Sequence, residues 1–483
     1  MKRTISQILA LSALFILNSC TESKPKKAPS KPNIIYILAD DLGYGDISSY
    51  GQKKFSTPNL DAMVANGMKF TQHYSGTSVC APSRSSLMTG QHTGHTHIRG
   101  NKELGTEGQE PLIGSSITIA EVMKEAGYVT GAFGKWGLGF VTTEGGATQQ
   151  GFDEFFGYNC QRMSHRYYPT HVWHNEEKVL LKGNDWTHKV TYAPDVIQEK
   201  TLEFIENNSD KPFFAYVPII LPHAEMIAPE DPIFEKYRGK YEETPHTEES
   251  DNYTSDYGPN MTPKHYCPQP TPHAAFAAMV DRLDMYVGQI VAKVNELGIA
   301  ENTIIMFASD NGPHGEGGAD PKFFNSAGGL KGMKRDLYEG GIRSPFIAVW
   351  PTKIKAGSTS DHISAFWDVM PTIADLGGVK TPTQSDGVSF LPTLLGSESQ
   401  KNHEYLYWEF HGKEGRQAVR KGKWKAVAYR IENPKKATFE LFDLDNDPTE
   451  SYDIASQYPE VVKEMKEIIS ESHVESEIFP FKR

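Results

Sequence analysis

Cysteine is scarce in this chain: its 483 residues hold four, at positions 20, 80, 160 and 267. None forms a Cys-x-x-Cys pair and no two histidines stand four apart, so neither a zinc centre nor a disulfide-dense scaffold is indicated. Basic charge is also in the minority, with 49 Lys and Arg against 61 Asp and Glu and a net charge of −12. A nucleic-acid binder would carry the reverse balance, so no nucleic-acid partner is expected. After residue 20 no apolar run is long enough to cross a bilayer. Internal repeats are missing, and low complexity is confined to residues 21–32. Aromatics are plentiful, with 24 Phe, 22 Tyr and 7 Trp. That is enough for a large core, and the length suits one large domain with a smaller companion.

The amino terminus reads as an address. Lys2 and Arg3 precede an apolar run from Ile8 to Leu17, which has the form of an export signal and is short for a membrane span. Leu17-Asn18-Ser19-Cys20 resembles a bacterial lipoprotein cleavage box, whose cysteine becomes the lipidated first residue. A plain signal peptide with an incidental cysteine is the alternative. Residues 20–32 are rich in Pro, Lys and Ser and suit an extended tether. The expectation is a signal peptide over 1–19 and an exported bacterial lipoprotein of the periplasm or outer membrane. A lipid on Cys20, and no helix, would hold it to the membrane. Cys160 and Cys267 could pair with each other, which sequence leaves open.

Four apolar runs each end in chemically active residues. Asn33–Ala39 leads into Asp40-Asp41, and Thr303–Ala308 leads into Ser309-Asp310-Asn311-Gly312. Tyr128–Phe133 is followed by Gly134-Lys135, and Phe213–Ile220 by Pro222-His223. Such short continuous runs are typical of buried parallel strands. Met279, Leu283, Val287, Ile290, Val294 and Leu297 recur at helical spacing before one of them, and Gly298 closes that helix. Strands alternating with amphipathic helices predict an α/β domain with a mainly parallel sheet, whose ligands gather beyond the carboxyl ends of the strands. Singly, each residue has a plainer reading, since aspartates after a strand close turns and cap helices. Together, three carboxylates and an amide carbonyl make a hard-oxygen site for Ca²⁺ or Mg²⁺.

The segment Ser78–Arg84 reads S-V-C-A-P-S-R. Pro82 and Ser83 suit a helix start, so Cys80 stands just ahead of a helix N-terminus, where free N–H groups favour an anion. Cys80-Ala81-Pro82-Ser83-Arg84 matches the Cys-x-Pro-x-Arg motif of the sulfatases, in which the cysteine is oxidised to formylglycine. Thr89–Asn101, Gly134–Gly139, Tyr338–Pro345, Trp408-Glu409-Phe410 and Asp445–Pro448 are also similar to that family, in its order. The resemblance runs from Pro32 to about Pro448, and its nearest look is to bacterial exported carbohydrate sulfatases.

That resemblance implies a set of roles. Asp40, Asp41, Asp310 and Asn311 match the ligands of a divalent metal, calcium in preference to magnesium, which the modified Cys80 would also touch. Formylglycine made from Cys80 by a separate maturation enzyme would, as its hydrate, supply the nucleophilic oxygen. Arg84 would hold that group, Lys135 and Lys334 would contact the sulfate, and His223 would stand near the scissile oxygen as proton donor. A metal, an arginine and two lysines suit an anionic ester whose charge shifts as the S–O bond breaks. One departure stands out. Where much of the family reads Gly-Lys-Trp-His, this chain has Gly137, which leaves His95, His97, His165 or no residue at all for the base that the histidine provides.

Around this set, Gln161–His174 mixes aromatics, Arg and His, which suits sugar stacking as well as a surface hairpin. His165, Arg166 and Trp173 are the candidate sugar contacts there. Residues 229–273 read as a long loop over the strand ends. From residue 396 short strand-like runs and a helix at Pro459–Ser470 resemble the small antiparallel-sheet subdomain of sulfatases, with His411 and Arg416 as candidate contacts. The expected architecture is therefore an alkaline-phosphatase-like α/β catalytic domain over 33–395 and an α+β C-terminal subdomain over 396–483. The expected activity is exo-desulfation of a sulfated carbohydrate, with galactose or N-acetylgalactosamine sulfate as a first guess. A phosphodiesterase or phosphonate hydrolase of the same superfamily, or a catalytically silent glycan-binding lipoprotein, are the alternatives.

Overall fold

A computed structural model describes residues 31–105, 107–185, 188–247 and 266–482. The expected signal peptide, Cys20 and the tether through Ser30 lie outside the described residues.

An eleven-stranded sheet forms the frame. From one edge its strands run Ser358–Ser360, Met68–Tyr74, Arg343–Val349, Thr303–Ser309, Asn33–Ala39, Phe213–Pro218, Val129–Lys135, Glu154–Tyr158, His171–His174 and Glu177–Leu180. Ser364–Ala365 also pairs with Met68–Tyr74. The five strands from Thr303–Ser309 to Glu154–Tyr158 are mutually parallel. Arg343–Val349 runs antiparallel against the centre, and beyond Glu154–Tyr158 each successive strand reverses direction. The sheet is mixed and mainly parallel, as expected from the continuous apolar runs.

Those runs are continuous because both faces are covered. Ile35 and Ile37 pack into one buried layer with Leu283, Val287 and Ile290 of the helix Pro272–Glu296. Ile34, Tyr36 and Leu38 pack into the opposite layer with Ile119 and Met123 of Ile119–Glu125 and Ile373 of Val369–Gly377. Alternation along a strand sends neighbours to opposite faces, so only an apolar run satisfies both layers.

A separate four-stranded antiparallel meander follows, Leu406–Phe410, Arg416–Lys421, Trp424–Tyr429 and Thr438–Asp443, with the helix Pro459–Ser472 after it. It is not a loose appendage. Trp408 buries its ring with Tyr74, Trp367 and Leu337 and donates to the Ser75 carbonyl at 3.0 Å. Cys160 and Cys267, whose pairing the sequence leaves open, are both buried free thiols. Among the described residues no helix is long and apolar enough to cross a membrane.

Candidate active site

Register brings the first carboxylates together. Ala39 pairs with Ser309 in adjacent parallel strands, so Asp40-Asp41 and Asp310-Asn311 leave the sheet side by side. The Asp310 N–H donates to the Ala39 carbonyl at 3.0 Å, and the Asp41 N–H donates to Asp310 Oδ1 at 3.1 Å. Asp41 sits at φ 62°, a left-handed conformation that a non-glycine residue adopts at some cost and that recurs at functional sites. Asn311 donates through Nδ2 to Asp41 Oδ1 at 2.7 Å. Its Oδ1 is buried with no partner among the described residues, an acceptor left for a ligand.

Cys80 reaches this corner from the first turn of the wholly buried helix Cys80–Thr89. The helix begins at Cys80 itself, with Val79 as its cap, and not at Pro82. Its Sγ lies 3.3 Å from Asp40 Oδ1. Burial and the charge of Asp40 raise the thiol well above its usual range, so an unmodified cysteine stays protonated and is a poor nucleophile.

Three cations hold the carboxylates in place. Lys135 ends its strand and donates to Asp40 Oδ2 at 2.6 Å. Arg84, one turn into the helix, donates to Asp310 Oδ2 at 2.9 Å and faces Asp40 Oδ2 at 3.2 Å. Burial pushes the Asp40 carboxyl up, but Lys135 and Arg84 outweigh it and hold it well below the carboxylate range. Asp310 is the opposite case: burial and the charge of Asp40 push it up to about 7. Lys334 donates to Asp41 Oδ2 at 2.6 Å and keeps its proton tightly, because Asp41 and Glu316 outweigh its burial.

His223 follows its strand end and lies 3.3 Å from Asp41 Oδ2. Its Nδ1 is 2.5 Å from the Ala224 carbonyl and its Nε2 is 3.1 Å from Lys334 Nζ. These partners assign the ring proton to Nδ1 and make Nε2 the acceptor. Burial and Lys334 drive its pKa well below the histidine range, so the ring is neutral. Glu316 was not foreseen. It pairs with Lys334 at 3.0 Å and with Arg335, and those cations with His314 hold it ionised against burial. Its sole trace in sequence is a glutamate between glycines, a few residues past Asp310-Asn311.

The other candidates divide. The His165 ring lies against His223 at 4.6 Å, which brings it to the site. Arg166 pairs with Glu225, and Arg416 with Asp336 at 2.6 Å. Trp173 donates to Glu107 at 3.2 Å, and His411 meets Glu409 at 2.8 Å while stacking on Phe481. These four are engaged inside the protein. His97 lines a separate cleft of about 670 Å³ with Arg99 and Ser115. His95 belongs to a cluster with His92 and Asp386 and meets Asp386 at 2.9 Å. There the Gly94 N–H donates to His92 Nδ1 at 3.1 Å, which leaves the His92 proton on Nε2, facing Asp386 and unable to ligate. Of the three histidines proposed to stand in at Gly137, the ring that contacts His223 is that of His165.

A family model described as Sulfatase matches residues 32–379, and one described as N-sulphoglucosamine sulphohydrolase, C-terminal, matches residues 332–475. An arylsulfatase of Hemicentrotus pulcherrimus is 32% identical over 441 residues, covering 85% of this chain and 70% of that protein. An N-acetylgalactosamine-6-O-sulfatase of Bacteroides thetaiotaomicron is 27% identical, covering 97% of this chain and 99% of its own. The crystal structure of Ps i-CgsB in complex with k-i-k-neocarrahexaose superimposes with a TM-score of 0.73 at 27% identity, covering 92% of this chain and 93% of that one.

Proposed function

The chain belongs to the sulfatase family and is a sulfuric ester hydrolase, and from that premise we propose that it removes sulfate from a sulfated glycan, acting at chain ends, through formylglycine made from Cys80. The observation that carries this reading is the convergence of Cys80 with three carboxylates, Arg84, Lys135 and Lys334 in one buried corner. Formylglycine would supply a nucleophilic hydroxyl that the protonated thiol lacks. The structure brings Asp40, Asp41, Cys80 and His223 within reach of one ion; with Asp310 beside Asp41 and the unpartnered Oδ1 of Asn311, the oxygens of Asp40, Asp41, Asp310 and Asn311 would suit a hard cation, Ca²⁺ in preference to Mg²⁺, which would offset the anionic charge of the reacting group.

This chain's residues do the rest. Arg84 keeps Asp40 and Asp310 oriented and holds Asp40 ionised. Lys135 and Lys334 place positive charge where sulfate oxygens would sit, in a corner where burial strengthens every charge interaction. His223, neutral and accepting from Lys334 through Nε2, orients that ammonium, and Lys334 gives its proton directly to the leaving oxygen as alkoxide charge develops there. A galactose or N-acetylgalactosamine sulfate is the proposed sugar, the second supported by the likeness to the N-acetylgalactosamine-6-O-sulfatase of Bacteroides thetaiotaomicron. Export and anchoring through a lipid on Cys20 are proposed from the signal-like amino terminus, with a formylglycine-forming enzyme as maturation partner.

The test is free sulfate released from a panel of sulfated mono- and oligosaccharides by protein co-expressed with a maturation enzyme, beside Cys80→Ala. Release that vanishes in the variant supports the reading; equal release from both overturns it. Turnover of phosphate esters or phosphonates above sulfate esters would move the chain to the alternative activity.

A further inference from the structure

Gln161 opens the short helix Gln161–Ser164 and is 2% exposed. Both polar atoms of its side chain, Oε1 and Nε2, are buried with no hydrogen-bond partner among the described residues. A primary amide carries two donors and two acceptor lone pairs, and leaving all of them unpaired in a buried place weakens the fold. A leucine of similar size would carry no such cost. The amide is therefore held for something other than stability.

Its position says what. The side chain lies over Gly137, where Nε2 stands 2.2 Å from the point a Cβ would occupy. Gly137 is at φ +75°, so a side chain there would both strain the backbone and expel the amide. Gly137 comes two residues after Lys135, which meets Asp40 at 2.6 Å. The other end of the same short helix delivers His165 to His223. Gln161 thus links the segment that carries Lys135 to the short helix whose end sets His165 against His223. Lys135 and Lys334 are already engaged with Asp40 and Asp41. A neutral donor with no internal partner can turn to an incoming anion without breaking an existing bond.

We propose that Gln161 is a substrate-contacting residue whose Nε2 donates to a non-bridging oxygen of the bound sulfate group, on the Lys135 side of the pocket, with Gly137 kept bare to admit it. This rests on the sulfate-ester reading above. The test uses the full matured chain loaded with Ca²⁺ and has two arms. The first is the melting temperature as a function of inorganic sulfate, and the second is kcat and KM on a substrate that wild type desulfates. For Gln161→Leu we expect a melting temperature without sulfate equal to or above wild type. Sulfate binding should weaken about tenfold, and kcat/KM should fall on the order of 100- to 1,000-fold, as when one oxyanion donor is removed. Gln161→Glu should lose more, because a carboxylate would face the sulfate. Lower melting with unchanged sulfate affinity and kcat/KM would assign the amide a structural role and overturn the proposal. Should Gln161→Leu not fold, Gln161→Asn withdraws the same donor by one bond, and unchanged sulfate binding there would be equally fatal. If wild type binds sulfate but desulfates no glycan, the glycan reading fails while the sulfate arm still judges Gln161.

Discussion

Two buried charge clusters in this protein are built alike and finished differently. At the junction of the two sheets, Glu409 is fully buried and its carboxylate meets Tyr407 at 2.7 Å, His411 at 2.8 Å and His473 at 2.6 Å. Arg99 stands at 3.6 Å, and these donors hold Glu409 down to about 2 against its burial. Around the carboxylate that network is closed, since each of its oxygens has its donors, although the outer nitrogens His411 Nδ1 and His473 Nε2 have no hydrogen bond among the described residues. At the catalytic centre Asp40, Asp41 and Asp310 face one another, Asp310 is forced up to about 7, and the Asn311 and Gln161 amides keep unpartnered atoms. A closed network holds parts together, whereas an open one is arranged to receive a ligand.

Breaking the open cluster should show in activity first. Cys80→Ala should cut sulfate release by roughly 10³-fold or more, as removal of a nucleophile does. Its melting temperature should change little, because the thiol makes no strong contact; assaying both on one preparation checks this. Breaking the closed cluster should show in stability first. Glu409→Ala strands Arg99 and two histidine donors, and a buried pair cut on one side costs about 3–5 kcal/mol. Urea unfolding should reveal that loss, with turnover per folded molecule nearly retained.

Calcium sharpens the contrast. Binding at 100 times the dissociation constant should add about 2.7 kcal/mol to the folded state, so chelation should lower the melting temperature and Ca²⁺ restore it. Asp41→Asn should blunt that response and Glu409→Ala should leave it intact. The smallest expected effect is in pH. Glu409 is depressed when folded, so its contribution is complete above its ordinary range near 4.5 and is lost as pH falls towards about 2. His473 is raised, chiefly by its bond to Glu409, so its contribution is complete below 6.5 and is lost as pH rises through its folded value. Melting temperature against pH should show both limbs, and His473→Ala should flatten the alkaline one.

Legibility followed the same divide. Asp40, Asp41, Asp310, Asn311, Lys135 and His223 were visible because each follows a continuous apolar run, and parallel strands must end on one side of a sheet. Glu316 was not, because it comes from a loop whose path follows from folding and has no periodicity of its own. Arg166 looked like a sugar contact by composition and Arg416 by the resemblance of its subdomain, and in the fold they pair with Glu225 and Asp336; a sequence lists charges without their partners. The Glu409 network joins residues 99, 409, 411 and 473, and no local pattern announces it.

Sequence by itself determined the alternation of apolar runs and helices, the hard-oxygen ligand set and the cysteine motif, because each of these is a local regularity of spacing and residue type. Tertiary structure alone decided which carboxylates touch, that Asp310 and Asp40 titrate in opposite directions, that Gln161 fills the space over Gly137, and that the C-terminal sheet is clamped through Glu409. The reason is that burial and charge coupling depend on distances across the fold, and those exist only once strands far apart in the chain lie side by side.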